Sequence, residues 1–105
     1  AMYLLRHRRR SAEPAVAYLF PQTTCSRRVL MTLAEIGCTE GEDYRIETVR
    51  TTGDNKKPEF LRKNPFGKIP AWQEDDWVLH ESFVICEYLC TRFPSAAAST
   101  LLPPQ

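Results

Sequence analysis

The sequence lacks the residue spacing of a structural zinc site or a disulfide scaffold. It holds only two histidines, and none of its four cysteines forms a C-x-x-C pair. Zinc modules and small secreted scaffolds both depend on closely spaced ligands or paired cysteines. We therefore expect no bound metal and four free thiols in a reducing cytoplasm. The four thiols are Cys25, Cys38, Cys86 and Cys90.

The chain also lacks a long apolar run. Its 105 residues are 43% hydrophobic and 26% charged, which is the composition of one globular domain. No stretch approaches the roughly 18 consecutive apolar residues that a membrane helix needs. The composition therefore predicts one compact domain without a membrane span.

A strong net charge is absent as well, because the formal charge is only +1. The charge is unevenly spread: four arginines lie within residues 1–14, whereas residues 15–105 carry −2. We predict that residues 1–14 form a disordered, solvated basic arm. An Arg-rich start is also compatible with a mitochondrial presequence. We expect a cytoplasmic protein, with mitochondria as the alternative, that binds neither nucleic acid nor membrane.

The apolar periodicity predicts alternating strands and helices. The run VAYLF at 16–20 indicates a buried strand, and residues 26–37 place Val29, Leu33 and Ile36 on one helix face that ends at Gly37. The later segments are predicted as a strand at 43–50, a short helix at 58–63, strands at 68–73 and 77–80, and a helix at 81–94.

The resulting order is β-α-β-α-β-β-α. A strand, helix, strand start requires a parallel pair with a right-handed crossover, and the last two strands must form an antiparallel hairpin. This order predicts an α/β fold of the thioredoxin-like type, with a mixed four-stranded sheet and helices on its faces.

Residues 64–89, NPFGKIPAWQEDDWVLHESFVICEYL, resemble the core signature of the N-terminal, glutathione-binding domain of cytosolic glutathione transferases. The run TGDNKKPEFLRKNPFGKIP at 52–70 is most similar to the phi and theta-like classes. The resemblance covers about residues 15–94. It implies that residues 95–105 are a linker to a helical C-terminal domain that this chain lacks. Two apolar residues of this tail, Leu101 and Leu102, are expected to dock against another surface.

The resemblance also implies a glutathione site. Glu81 would accept from the ligand's ammonium, and Ser82 would donate to the neighbouring α-carboxylate at a helix N-terminus. Ile69, before a cis Pro70, would pair through its backbone with the cysteinyl residue. The family places cationic or polar groups for the ligand at two further positions, which are Lys56 and Lys68.

Each of these assignments has a structural alternative. Ser82 is also a plain helix N-cap candidate, Pro70 fits an edge strand, and either lysine is equally typical of a solvated surface. Asn55 stands where the family usually has a histidine, which weakens one expected contact to the glycine end.

The resemblance further implies a thiol-activating position. In the family a serine follows the first-strand tyrosine after four residues and precedes the helix arginine by four or five, and both spacings lead to Thr23. Threonine keeps the hydroxyl that stabilises the thiolate of glutathione but adds a methyl group. Cys25 lies two residues out of this register, and we expect it to be a partly buried thiol that faces elsewhere. Thr24 and Ser26 are N-cap candidates.

The predicted function is therefore that of a glutathione S-transferase domain, which binds glutathione as substrate and stabilises its thiolate for attack on an electrophile. Two alternatives remain open. One is a non-catalytic protein-interaction domain of the same fold, and the other is a glutathione-dependent thiol reductase that uses Cys25. Apolar helix faces left bare also predict a homodimer or homo-oligomer.

Overall fold

The computed structural model describes residues 13–101. Most of the predicted basic arm, at 1–12, and the tail from Leu102 onward lie outside the described residues. The elements are β1 Ala15–Leu19, α1 Thr24–Ile36, β2 Tyr44–Thr48, a 3₁₀ helix Asp54–Lys56, α2 Pro58–Leu61, β3 Ala71–Glu74, β4 Trp77–His80, α3 Ser82–Arg92 and α4 Ala96–Leu101.

The four strands form one mixed sheet in the order β2-β1-β3-β4. Strands β1 and β2 are parallel, whereas β3 is antiparallel to both β1 and β4. The β3–β4 hairpin pairs Ala71 with His80 at one end and Glu74 with Trp77 at the other. The predicted thioredoxin-like sheet and hairpin are confirmed.

The two faces of the sheet bury different side chains because successive residues of a strand point to opposite sides. Ala17 and Leu19 of β1 join the larger cluster, which also holds Trp72 with no exposed surface. Tyr18, between them in sequence, belongs to a second cluster with Phe60 of α2. Helices therefore cover both faces.

The larger cluster is covered by α1 and α3. Val29, Leu33 and Ile36 of α1 are buried as the helical spacing predicts. Helix α1 ends at Gly37, whose φ of 87° is the left-handed conformation that favours glycine at this position. Ile85 and Leu89 of α3 are fully buried against the same cluster.

The tail differs from the prediction, because residues 96–101 form an additional helix. The Ser95 hydroxyl oxygen accepts from the Ala98 N–H at 3.0 Å and so caps the first turn. Ala98 is 1% exposed, whereas Leu101 is 47% exposed. The small Ala98 lies on the inner face of this helix, and Leu101 is about half-exposed beside Met31 and Arg28 of α1.

A half-buried polar cluster at the Glu74 end of the hairpin ties α3 to the sheet. One oxygen of the Glu74 carboxylate accepts from Trp72 Nε1 at 2.9 Å and from the Tyr88 hydroxyl at 2.8 Å. The other accepts from Arg92 Nε at 3.1 Å in an ion pair whose side chains are 18% and 14% exposed. The carboxylate thus joins the sheet to the C-terminal half of α3.

Candidate functional site

A cavity of about 360 Å³ lies at the opposite end of the hairpin, where β4 leads into α3. Its volume is within the usual range for small-molecule sites, roughly 300–1,000 Å³. Five of the seven predicted site residues line it: Lys68, Ile69, Pro70, Glu81 and Ser82. Thr23 and Lys56 are not among its lining residues. The segment before β3 and the start of α3 thus converge on one concave surface.

The segment before β3 presents backbone groups to this cavity. The Ile69–Pro70 peptide bond is cis, as the sequence predicted. Within residues 13–101, neither the N–H nor the C=O of Ile69 makes a backbone hydrogen bond. Both groups are therefore available to an extended ligand backbone.

Asn64 holds the loop before β3 in place, although no role was predicted for it from the sequence. It is only 1% exposed, its Nδ2 donates to the Lys68 carbonyl at 2.8 Å, and its Oδ1 accepts from the Phe66 N–H at 3.1 Å. A buried amide that satisfies two backbone groups holds a loop in one conformation. The sequence feature that could have indicated this role is the position of Asn64 at the start of the NPFGKIP run.

The start of α3 leaves backbone amides without a side-chain cap beside the same cavity. Its N-cap, Glu81, has a φ of 83° and makes no side-chain capping bond, and the first turn contains no acidic residue. The first intrahelical bond runs from the Ile85 N–H to the Glu81 carbonyl at 3.0 Å. Amide groups before Ile85 and the positive end of the helix dipole therefore favour an anion at Ser82.

Arg28 of α1 reaches across to this helix start. Its Nη1 donates to Ser82 Oγ at 2.7 Å and lies 3.7 Å from Cys25 Sγ. The guanidinium carbon is 4.3 Å from the centroid of the Phe83 ring. The sequence used this arginine only as a marker of spacing, so its contact with Ser82, 54 residues away, was missed.

The structure corrects the expectation for Cys25. The residue is exposed and lines the cavity together with Glu81 and Ser82, rather than being partly buried and facing elsewhere. The first turn of α1 lies opposite the first turn of α3, so its side chains reach the cavity. Two other thiols are shielded: burial raises the pKa of Cys38 to about 12 and also raises the pKa of Cys90.

Thr23 acts as the N-cap of α1. Its Oγ1 accepts from the Ser26 N–H at 3.2 Å and donates its only proton to the Phe20 carbonyl at 2.9 Å. Ser26 is fully buried and its hydroxyl oxygen accepts from the Phe20 N–H at 3.0 Å. In this conformation the Thr23 proton is therefore engaged, and donation to a sulfur requires the hydroxyl to leave Phe20.

Lys56 lies beside Gly67, next to the cavity-lining Lys68. A Cβ atom at Gly67 would come within 2.8 Å of Lys56 Nζ and 3.0 Å of the Asn55 carbonyl oxygen, so this close approach requires glycine. Asn55 Nδ2 donates to the Gly67 carbonyl at 2.8 Å. The asparagine that replaces the expected histidine thus joins the 3₁₀ helix to the loop before β3.

Asp54 holds the loop that carries Lys56. Its carboxylate accepts from the backbone N–H of Arg50 at 3.1 Å and from Arg50 Nε at 2.9 Å, and it pairs with Lys57 Nζ at 3.2 Å. These donors, the Arg50 side chain first, hold the pKa of Asp54 well below its usual range. Lys56 takes no part in these ion pairs.

No metal centre accompanies the cavity in the part of the chain that the structure describes. Residues 13–101 contain no group of three or more His, Cys, Asp or Glu side chains that could hold an ion. No helix in that range is long and apolar enough to cross a bilayer.

The mixed sheet and the cavity at the start of α3 define a thioredoxin-like domain with a candidate small-molecule site. The sequence matches the family described as "Glutathione S-transferase, N-terminal domain" over residues 24–92. It is 38% identical over 81 residues to the "Probable glutathione S-transferase GSTF1" of Oryza sativa subsp. japonica and 35% identical over 89 residues to "Glutathione S-transferase 1" of Triticum aestivum. The chain belongs to the glutathione S-transferase family, and its matched region is the N-terminal domain.

Solved structures agree with this assignment. Poplar glutathione transferase F1 matches with a TM-score of 0.74 at 32% identity, over 90% of this chain and 42% of that one. Glutathione transferase F7 from Populus trichocarpa matches with a TM-score of 0.67 at 41% identity, over 75% of this chain and 36% of that one. These plant F-class proteins confirm the predicted phi-like resemblance. The rice and wheat alignments cover 76% and 85% of this chain but only 35% and 38% of those proteins.

Proposed function

We propose that this domain binds glutathione in the cavity at the start of α3 and stabilises its thiolate for attack on an electrophile. The observation that carries the proposal is the convergence of Ile69, Glu81 and Ser82 on one surface. These residues come from separate segments and offer the three groups the tripeptide requires: backbone for its cysteine, a carboxylate for its ammonium, and N–H and O–H donors for its α-carboxylate.

The two lysines extend this arrangement towards the glycine end of the ligand. Lys68 lines the cavity, and Lys56 lies against Gly67 immediately before it. Neither takes part in an ion pair within residues 13–101, unlike Lys57 and Arg50, which both pair with Asp54. Both ammonium groups are therefore open to a ligand carboxylate, which supports their assignment to the glycine end.

Thr23 is assigned to the sulfur. Its hydroxyl lies at the N-terminus of α1, where the helix dipole favours a thiolate, and it stabilises that thiolate by turning its proton away from the Phe20 carbonyl. Thr23→Val removes this donor and Thr23→Ser keeps it. The pKa of bound glutathione, followed by the ultraviolet absorbance of its thiolate, should rise in the valine variant alone. An unchanged pKa in that variant would remove Thr23 from the site.

Isothermal titration calorimetry with glutathione tests the proposal directly. We expect saturable 1:1 binding by the 105-residue chain, weakened in Glu81→Ala because the ligand's ammonium loses its acceptor. Glu59→Ala, at an exposed carboxylate of α2, is the matched control and should bind as the native chain does. No saturable binding at millimolar glutathione would contradict the proposal.

A thiol-exchange activity at Cys25 is the second candidate, because Cys25 is exposed in the same cavity with Arg28 Nη1 3.7 Å from its sulfur. Its thiolate would attack the glutathionyl sulfur of a mixed disulfide and release the substrate thiol. A second glutathione thiolate would then attack the resulting Cys25–glutathione disulfide, forming oxidised glutathione and restoring Cys25. Cys25→Ser should abolish this reduction and leave glutathione binding intact, whereas equal turnover in both proteins would exclude the activity.

Self-association remains part of the proposal. Among residues 13–101, five large apolar side chains are at least 45% exposed: Met31, Phe66, Phe83, Val84 and Leu101. Exposed apolar area of this kind supports a homodimer or a contact with a further helical domain. Analytical ultracentrifugation of the chain over a wide concentration range should show dimers, and a monomeric mass throughout would contradict the homodimer. We propose the cytoplasm as the compartment because the four cysteines are free thiols, which are typical of a reducing environment.

A further inference from the structure

Arg28 makes a contact that the proposed glutathione site leaves unexplained. Its guanidinium bridges α1 and the first turn of α3, with Nη1 2.7 Å from Ser82 Oγ. The contact is a charged hydrogen bond to a neutral hydroxyl rather than to a carboxylate. Within residues 13–101, Arg28 takes part in no ion pair, although Arg45, Arg50 and Arg92 each have a carboxylate partner.

The direction of this hydrogen bond determines what Ser82 can do. Guanidinium has donors only, so the Ser82 oxygen must be the acceptor. The hydroxyl proton of Ser82 therefore points away from Arg28. Ser82 is 7% exposed, and this is the only hydrogen bond that its side chain makes among the described residues. The proton is left without an acceptor, at a residue that lines the cavity.

The local electrostatics reinforce this arrangement. The first turn of α3 has no acidic residue and no side-chain cap, so the positive end of its dipole is open. Arg28 brings a second positive charge to the same helix start. Both features become favourable when a carboxylate lies at Ser82.

The Arg28 side chain is also held in place. Its guanidinium packs over the Phe83 ring, with 4.3 Å between its central carbon and the ring centroid. A stacked guanidinium keeps its plane and hydrogen-bonding direction, which a lysine ammonium cannot do. The arginine is thus preorganised before any ligand arrives.

We propose that Arg28 is a positioning residue for the ligand's α-carboxylate: it binds the oxygen of Ser82 so that the hydroxyl proton is directed to that carboxylate, and its charge favours the anion there. The inference rests on the proposed glutathione binding. It predicts that Arg28 affects ligands only through this one carboxylate.

The test compares two ligands by calorimetry. One is glutathione, and the other is γ-aminobutyryl-cysteinyl-glycine, which keeps the ammonium, thiol and glycine carboxylate but lacks the α-carboxylate. We expect Arg28→Met to weaken glutathione binding about tenfold, as for a lost hydrogen bond to a charged group, and to change binding of the analogue by less than about twofold. Arg28→Lys keeps the charge but lacks the planar guanidinium, so its affinity for glutathione should lie between those of the native chain and Arg28→Met.

Arg27→Met is the matched control, because the adjacent Arg27 is exposed and its Nε donates to the Pro21 carbonyl at 2.9 Å. It should bind both ligands as the native chain does. Equal weakening of both ligands in Arg28→Met, or no weakening of either, would overturn the inference while glutathione binding by the native chain stands. If Arg28→Met does not fold by circular dichroism, the same comparison in Arg28→Lys decides. Absence of glutathione binding by the native chain would instead remove the proposed function itself, and this inference with it.

Discussion

Helix α3 meets an arginine at each end, and the two arginines have different partners. At its C-terminal end, Arg92 pairs with the Glu74 carboxylate at 3.1 Å, and Trp72 and Tyr88 donate to the same carboxylate. At its N-terminal end, the hydrogen bond of Arg28 across to α3 goes to the neutral hydroxyl of Ser82, at 2.7 Å. The first arginine thus has a carboxylate partner, whereas the second forms no ion pair among the described residues.

We infer from this difference that α3 has a structural end and a proposed binding end. A cation at a helix C-terminus, such as Arg92, is favoured by the dipole, and a half-buried carboxylate with three donors is satisfied. A cation beside a helix N-terminus is favoured only when an anion joins it. The complete network at Glu74 therefore belongs to the fold, whereas an arginine that meets a hydroxyl instead of a carboxylate at Ser82 supports the proposed ligand site.

Removing Glu74 should break the structural end and give the largest effect. Glu74→Ala leaves three partly buried donors without their acceptor and should lower the free energy of unfolding by about 3 kcal/mol. Urea denaturation measures the loss. Glu87→Ala, at an exposed carboxylate on the same helix, should change stability by less than about 0.5 kcal/mol. A Glu74 variant as stable as Glu87→Ala would show that the network does not hold the fold.

Replacing Glu81 with glycine, at the N-terminal end of α3, should raise the free energy of unfolding, whereas loss of Glu74 should lower it. Its φ of 83° is costly for a residue with a Cβ, so Glu81→Gly should raise the free energy of unfolding by about 1 kcal/mol. The same change removes the acceptor for the ligand's ammonium and should weaken glutathione binding about tenfold. Glu81→Ala keeps the Cβ and should lose affinity without gaining stability. Equal stabilities of the glycine and alanine variants would refute the assignment of backbone strain to Glu81.

Thr23 has a structural role as the N-cap of α1 and also a proposed role at the ligand's sulfur. Thr23→Val removes the cap of α1 and should cost about 1 kcal/mol, whereas Thr23→Ser should cost much less because the oxygen is retained. Thermal unfolding of the two variants measures the difference. Equal melting temperatures would show that the cap contributes nothing to stability.

The exposed and the buried thiols should react with an alkylating reagent at different rates. Iodoacetamide should modify the exposed Cys25 well before Cys38 and Cys90, and mass spectrometry of the native protein gives the order.

Burial also makes the stability of the fold depend on pH through Cys38. Because burial raises the pKa of folded Cys38 to about 12, the unfolded chain loses the thiol proton of Cys38 first as the pH rises above about 9. Stability should therefore fall between these two pH values, and fall less in Cys38→Ala. Identical slopes in the two proteins would contradict the shielding of Cys38.

Periodicity and spacing predicted most of the fold. Val29, Leu33 and Ile36 recur at helical intervals and are all buried, and Gly37 ends their helix. The order of the elements was sufficient for the mixed sheet, since a parallel start and a closing hairpin admit few topologies. The additional helix at 96–101 was missed because its alanines and serines are also typical of linkers.

The site was predicted only as far as local patterns extend. Ile69, Glu81 and Ser82 lie in short motifs and meet at the cavity as expected. Arg28 and Glu74 act through side chains whose partners depend on the packing of α1 and α3, and no local spacing encodes those contacts. The direction of Cys25 was misjudged for the same reason: register in one helix does not reveal what the next helix places opposite it.

The division of α3 into a binding end and a structural end is tested most directly by a glutathione titration of the isotopically labelled chain followed by NMR. We predict saturable chemical-shift changes at the amides of Ile69, Ser82 and Phe83 and at the Arg28 side chain, with none at the Trp72 indole or the Arg92 side chain. Shifts centred on Trp72 and Arg92, or no saturable shift at Ser82, would contradict it.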